Sequence, residues 1–230
     1  MDERQHLIVD ADDTLWENNV YFERAFDAFV EFLGHSTLTP EQVRGVLDDI
    51  EAVNAKVHGY GSMNFGRNLQ QVYQHLCERD IRPSDLVQVM GFAERILEQP
   101  VELMDGVAET LEYLASRHDL TLFTKGHTEE QKLKVDRSGL GVYFGHLAIV
   151  KEKDARSYRA LIAERSMDPA RTWMIGNSPK SDVNPALEAG LNAAFIPHER
   201  TWILERAELR EPGPGRLLRL SCFLDLRQYF

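Results

Sequence analysis

Leu7-Ile8-Val9-Asp10-Ala11-Asp12-Asp13-Thr14 decides how the rest of the chain is read. A short apolar run leads straight into a cluster of acids, the pattern of a strand buried on both faces of a parallel sheet. Runs of the same kind recur at Leu120 to Phe123, His146 to Val150, Thr172 to Ile175 and Ala193 to Ile196. Between them, apolar residues fall at helical spacing: Val107, Leu111 and Leu114, then Tyr158, Leu161 and Ile162, then Ala186, Leu187 and Ala189 behind Pro185. Strands alternating with helices predict an α/β fold with a Rossmann-like, three-layer, parallel-sheet core.

Residues 16 to 102 break that rhythm. Helix-like stretches run from Tyr21 to Leu33, Pro40 to Val57, Asn64 to Arg79 and Pro83 to Glu98, with no convincing strand. Thr39 and Pro40 make an N-cap and first-turn pair, and Gly59-Tyr60-Gly61-Ser62 reads as a loop. The expected organisation is an all-helical insert after the first strand, with 1–15 and 103–230 forming the core. Beyond Glu211-Pro212-Gly213-Pro214-Gly215, the stretch Leu217 to Phe230 reads as a short apolar tail packed on that core.

Composition narrows the classes of function. Across 230 residues, 26 Lys and Arg against 37 Asp and Glu give a net charge of −11, a field that repels nucleic acid and acidic membrane surfaces. Cys77 and Cys222 are the only cysteines, which supports neither a disulfide framework nor a zinc site. The start, Met-Asp-Glu-Arg-Gln-His, places acid before base, and the apolar run behind it is too short for a signal peptide. These features lead us to expect a protein of the reducing cytoplasm. The eight histidines lack metal-ligand spacing and receive no role. Gly139-Leu140-Gly141 lacks the full dinucleotide-binding pattern.

Chemistry gathers where the strand-like runs end: Asp10 to Thr14, Thr124-Lys125-Gly126, Lys151 to Asp154, and Gly176 to Asp182. In an open parallel sheet, ligands bind outside the carboxyl ends of the strands, so these stretches should converge. Carboxylates from Asp10 and Asp182 suit Mg²⁺, which takes oxygen ligands, while a Lys and a Thr would satisfy phosphoryl oxygens. Lys153, just before a helix starting near Ala155, is the expected phosphate-binding lysine, with Lys151 and Lys125 as rivals. Asp12, crowded among other acids, is expected to have a raised pKa and to protonate a leaving alkoxide. The competing structural reading makes Asp12, Asp13 and Thr14 the cap of a helix beginning near Leu15. In the insert, Tyr60, Met63, Phe65 and Arg67 are candidates for a substrate pocket, against the alternative that such a set is core.

Taken in order, apolar-Asp10-x-Asp12-x-Thr14, Leu122-Phe123-Thr124, Lys153 and Gly176-Asn177 through Asp182 resemble the motifs of the haloacid dehalogenase superfamily of aspartate-nucleophile hydrolases. The resemblance covers nearly the whole chain and implies that the helical insert is a cap. It further implies that Asp10 attacks phosphorus and Asp12 acts as acid and then base. Thr124, Lys125 and Lys153 would lie around the phosphoryl group, and Mg²⁺ would sit on Asp10, the Asp12 backbone carbonyl, Asn177 and Asp182. Many relatives carry Asp where this chain has Asn177, which offers an oxygen without a charge. The expected activity is Mg²⁺-dependent hydrolysis of a small phosphorylated metabolite. Dehalogenation and phosphomutase chemistry are the rivals within the superfamily, and a phosphoacceptor signalling domain or a non-catalytic binding protein the rivals outside it. Because a halide leaves without protonation, the acid at position 12 argues for an alkoxide leaving group.

Overall fold

The computed structural model describes residues 4–230, and its contacts divide the chain into two compact units. One holds the chain up to Glu17 together with Val101–Phe230, and the other is Asn18–Pro100. Among the described residues, no helix is long and apolar enough to cross a membrane.

The first unit is built on strands β1 (His6–Val9), β2 (Asp119–Lys125), β3 (His146–Val150), β4 (Thr172–Gly176), β5 (Asn192–Phe195) and β6 (Leu217–Arg219). They pair in the order β3-β2-β1-β4-β5-β6, every pair parallel. Alternation along the strands sorts their side chains onto two faces. Leu7, Val9, Leu120, Leu122, Trp173 and Ile175 pack with Val107, Leu111 and Leu114 of helix α5 (Val107–Ala115) and with Val135 of α6 (Thr128–Ser138). Ile8, Phe123 and Met174 pack on the opposite face with Tyr158 and Leu161 of α7 (Ala155–Arg165) and Ala186 of α8 (Asn184–Glu188). Phe223, Leu226 and Phe230 of the tail join the first of these clusters, as the sequence suggests, but the tail begins with β6, which the sequence does not announce.

Chain order reverses at β1: β2 and β3 lie to one side, β4 and β5 to the other. Such a switch point leaves a crevice at the carboxyl ends of the two strands beside it. Asp10 leaves β1 with its N–H bonded to Ile175 O at 2.9 Å, so the first acid stands next to the end of β4.

No helix begins near Leu15. The N–H of Asp13 bonds to Trp16 O at 2.8 Å and that of Leu15 to Ala11 O at 2.8 Å, closing a tight turn. Asp13 takes a left-handed φ of 60°, which Asp tolerates better than most residues. Helix formation starts only at Asn19. The same segment returns through Met104 N to Leu15 O and Glu17 N to Glu102 O, both 2.9 Å.

The second unit is helical: α1 (Asn19–Leu33), α2 (Pro40–His58), α3 (Ser62–Leu76) and α4 (Pro83–Glu94), the last continued by a 3₁₀ turn to Glu98. Thr39 caps α2 in a reciprocal box with Gln42. Phe29, Leu47, Leu69, Val72 and Tyr73 are fully buried in its core. α3 and α4 approach closely at Gly66, where an added Cβ would stand 2.5 Å from Met90 Sδ.

Candidate active site

Four strand exits deliver the chemistry. β1 ends in Asp10, β2 carries Thr124 and Lys125, the loop after β3 carries Lys153, and β4 leads into Asn177 and Asp182. Lys153 Nζ bridges two carboxylates: it bonds to Asp10 Oδ1 and reaches Asp182 Oδ1 at 2.8 Å. Its side chain is 2% exposed, and those of Asp10 and Asp182 are 9% and 1% exposed. Lys151 is exposed and takes no part, so of the rival lysines it is Lys153 that meets Asp10.

The remaining oxygens of this pair are also held. Thr14 Oγ1 donates to Asp10 Oδ2 at 2.9 Å and stands 3.3 Å from Asn177 Oδ1, tying the first strand exit to the fourth. The N–H of Ser178 donates to Asp182 Oδ2 at 2.9 Å. Gly176 makes room for that carboxylate, because a Cβ there would lie 2.3 Å from Asp182 Oδ2. Beneath, buried Tyr158 donates its hydroxyl to Ser181 O at 2.9 Å and pins the turn that carries Asp182. Thr124 is buried at the end of β2, its hydroxyl near Lys125 O at 3.5 Å.

Electrostatically the trio is one positive charge short. Burial, reinforced by the Asp10 charge, pushes the Asp182 carboxyl up to about 7 against the opposing pull of Lys153. Burial alone would lower the Lys153 pKa, but the two carboxylates raise it, so the ammonium stays charged. Two buried acids sharing one lysine, with an amide oxygen alongside and every donor atom an oxygen, fit an added oxygen-preferring divalent cation.

Asp12 lies in a different environment. Lys134 Nζ is 2.7 Å from both of its oxygens, Gln131 Nε2 donates to Oδ2 at 2.8 Å, and Trp16 Nε1 donates to Oδ1 at 2.8 Å. Burial acts to raise its pKa, yet the Lys134 charge and these hydrogen bonds outweigh that effect and hold the carboxyl below its ordinary value. The expectation of a raised pKa is therefore corrected, since the neighbours of Asp12 are donors rather than acids. Gln131 leaves its own Oε1 buried without a partner, a cost of about 1–3 kcal/mol that its bond to a charged carboxylate helps offset.

Lys125, expected near phosphate, instead closes a second buried network. Its Nζ pairs with Glu205 and Glu152 and donates to Ser181 Oγ at 2.9 Å, while Ser178 Oγ donates to Glu205 Oε2 at 2.7 Å. Burial works to raise the Glu205 pKa, but Lys125 and the serines hold it below the usual carboxylate value. In the helical unit, Phe65 is a core residue 4% exposed, edge-on to Phe22, which removes it from the pocket set. Arg67 is exposed and donates to Asn64 Oδ1 at 3.0 Å, and Tyr60 is half-buried in the link before α3.

Sequence reasoning missed several of these residues. Gln131 and Lys134 lie three apart on α6, a spacing that puts both on one helix face and was the available signal. Glu205 carries no such mark. His198 pairs with Glu17 at 3.5 Å, and with Asp13 they form a group whose ligand atoms lie within 4.8 Å of one another.

A family model described as haloacid dehalogenase-like hydrolase matches residues 5–190. Among solved structures, a haloacid dehalogenase-like family hydrolase from Xanthomonas campestris is 28% identical, with a TM-score of 0.81 over 99% of this chain and 94% of that one. A HAD hydrolase from Bacillus subtilis bound to magnesium has a TM-score of 0.70 at 16% identity, covering 99% and 98% of the two chains. The L-2-haloacid dehalogenase of Xanthobacter autotrophicus has a TM-score of 0.65 at 16% identity, covering 98% and 97%. No curated protein matches the chain.

Proposed function

Since the chain belongs to the haloacid dehalogenase-like hydrolase family, we propose that it hydrolyses a small phosphomonoester through an aspartyl-phosphate on Asp10, with Mg²⁺ as cofactor. The observation that carries this reading is the shared lysine. Asp10 and Asp182 are buried against one ammonium, a charge balance that favours a further cation and, with that cation in place, a phosphate dianion.

Asp10, Asp182 and Asn177 are the side chains that would hold the cation, with the Asp12 backbone carbonyl, since the Asp12 carboxylate is turned to Lys134. When bound, such an ion screens the negative charge between nucleophile and phosphoryl oxygens. A carboxylate oxygen of Asp10 attacks phosphorus. The new O–P bond forms as the ester P–O bond breaks, and its electron pair leaves with the alkoxide, which takes the proton of Asp12 in its acid form. Water then attacks the same phosphorus, the Asp12 carboxylate taking a proton back from the attacking water, which releases inorganic phosphate and restores the Asp10 carboxylate. Lys153 and Thr124 supply donors for the phosphoryl oxygens, and Thr14 fixes the Asp10 rotamer through its 2.9 Å bond. Asp12 serves proton transfer in both halves.

The test is a screen of phosphate release across sugar phosphates, nucleotides, phosphoglycolate and aryl phosphates, with Mg²⁺ and with chelator. Release from at least one class that requires the metal and falls at least about 10⁴-fold in Asp10→Asn supports the reading. Halide release from haloacids in excess chelator, without phosphate release, overturns it in favour of dehalogenation.

A further inference from the structure

We propose that Lys134 is a positioning residue for the reaction, fixing the Asp12 carboxylate in the plane and direction from which it exchanges protons. This inference rests on the phosphatase reading given above for its kinetic consequence, though not for its geometry. Lys134 Nζ stands 2.7 Å from each Asp12 oxygen, so a single ammonium spans the carboxylate. Gln131 holds Oδ2 and the fully buried Trp16 indole holds Oδ1, so both carboxylate oxygens are held from two directions. An aspartate has two side-chain torsions, and donors arranged in this way leave neither free to drift.

The arrangement is built into the fold. Gln131 and Lys134 share the face of α6 that carries buried Val135, whereas Lys132 points away and pairs with Glu129 at 3.2 Å on the surface. Room for Gln131 is secured by Gly126, whose φ of 142° suits glycine and whose added Cβ would stand 3.0 Å from Gln131 Nε2. The site thus uses one lysine on Asp10 and a different lysine on Asp12.

Lys134 meets the site through Asp12, whereas Lys153 is the lysine that holds Asp10 and Asp182. Loss of Lys134 should therefore slow proton transfer to the leaving group while sparing substrate binding. In Lys134→Met, kcat for an alkyl phosphate such as β-glycerophosphate should fall about 10²-fold. The fall for p-nitrophenyl phosphate, whose leaving group needs little protonation, should be several-fold smaller, and KM for both esters should stay within about twofold. Lys134→Arg should restore most of the rate, because a guanidinium fork also reaches both carboxylate oxygens. Lys132→Met is the surface control and should match the wild type.

A second readout does not depend on turnover. The indole N–H resonance of Trp16, identified by its loss in Trp16→Phe, should move in Lys134→Met in the same direction as in Asp12→Asn. Gln131→Met should move it by a smaller amount, and this variant stands in if Lys134→Met does not fold. Equal kinetic losses on both esters, a dominant change in KM, or an unmoved Trp16 resonance overturns the positioning role. If the wild type releases phosphate from none of the esters in the wider screen, the phosphatase reading fails, and the Trp16 resonance alone then decides whether Lys134 fixes Asp12.

Discussion

Asp10 and Asp12 stand two residues apart on one strand exit and meet opposite surroundings. Asp10 shares a single lysine with a second buried acid, so its site has a surplus of negative charge. Asp12 is held by a different lysine, an amide and an indole, and each of these donates to it. The same residue type is thereby given two environments by what is packed around it: one carboxylate belongs to a pair short of positive charge, and the other is fixed in direction by donors on both of its oxygens. The register of the chain makes this possible. Asp10 points to the crevice beside β4, and the tight turn with Asp13 at φ 60° sends Asp12 toward α6.

The contrast breaks most severely at Lys153. Its replacement in Lys153→Met leaves Asp10 and Asp182 buried together without a cation, which should cost about 3–5 kcal/mol of stability. Urea unfolding in metal-free buffer measures this, and added Mg²⁺ should recover part of the loss in the variant.

A smaller effect is expected from pH. Because the folded-state pKa of Asp182 is raised to about 7, the folded protein binds more protons than the unfolded chain between pH 4 and 7. The stability this residue contributes should therefore fall as pH rises through that window and level off above it. Asp12 and Glu205 have lowered values, so the stability they supply is present above the ordinary carboxylate pKa and lost only on acidification below about 4. Unfolding free energies of wild type and Asp182→Asn, measured in chelator from pH 4 to 8, should converge toward the acid end and separate as pH rises. Parallel curves would show that Asp182 is not under this strain.

The smallest change sharpens the charge count. Asn177 is buried, with its oxygen 3.3 Å from Thr14 Oγ1, so Asn177→Asp adds a negative charge beside Asp10. The Mg²⁺ concentration for half activity should drop, and KM for the phosphate ester should rise, each by about three- to tenfold. Titrations of initial rate against Mg²⁺ and against ester check the opposed directions.

Much of this was legible in the sequence because strand exits carry their chemistry in short contiguous words. Asp10 to Thr14 and Gly176 to Asp182 each combine a buried strand with the polar turn that follows it, and the parallel sheet brings them together. Lys153 could be separated from Lys151 by its place before α7, and the structure puts its Nζ on Asp10. The partners of Asp12 were illegible for a physical reason. Their positions depend on how α6 lies across the sheet, and a helix-face lysine looks the same in sequence whether it meets solvent, as Lys132 does, or a carboxylate, as Lys134 does. Phe65 shows how two readings of one pattern divide: an aromatic near a glycine-rich link can be a pocket candidate or core, and the structure packs it into the core of its own helical unit. β6 escaped notice because it is three residues long, with Leu217 and Leu218 half-covered and Arg219 exposed, too short for an alternation to be read.

The most direct test of the account follows oxygen from water. Attack on an aspartyl-phosphate at phosphorus places the water oxygen in the released phosphate, whereas hydrolysis of an aspartyl ester at its carbonyl carbon places it in Asp10. With Mg²⁺ and a turned-over phosphate ester in H₂¹⁸O, the account predicts phosphate carrying one labelled oxygen and an Asp10 peptide of unchanged mass. Heavy oxygen in the Asp10 peptide, with halide released from a haloacid in the presence of chelator, would contradict it.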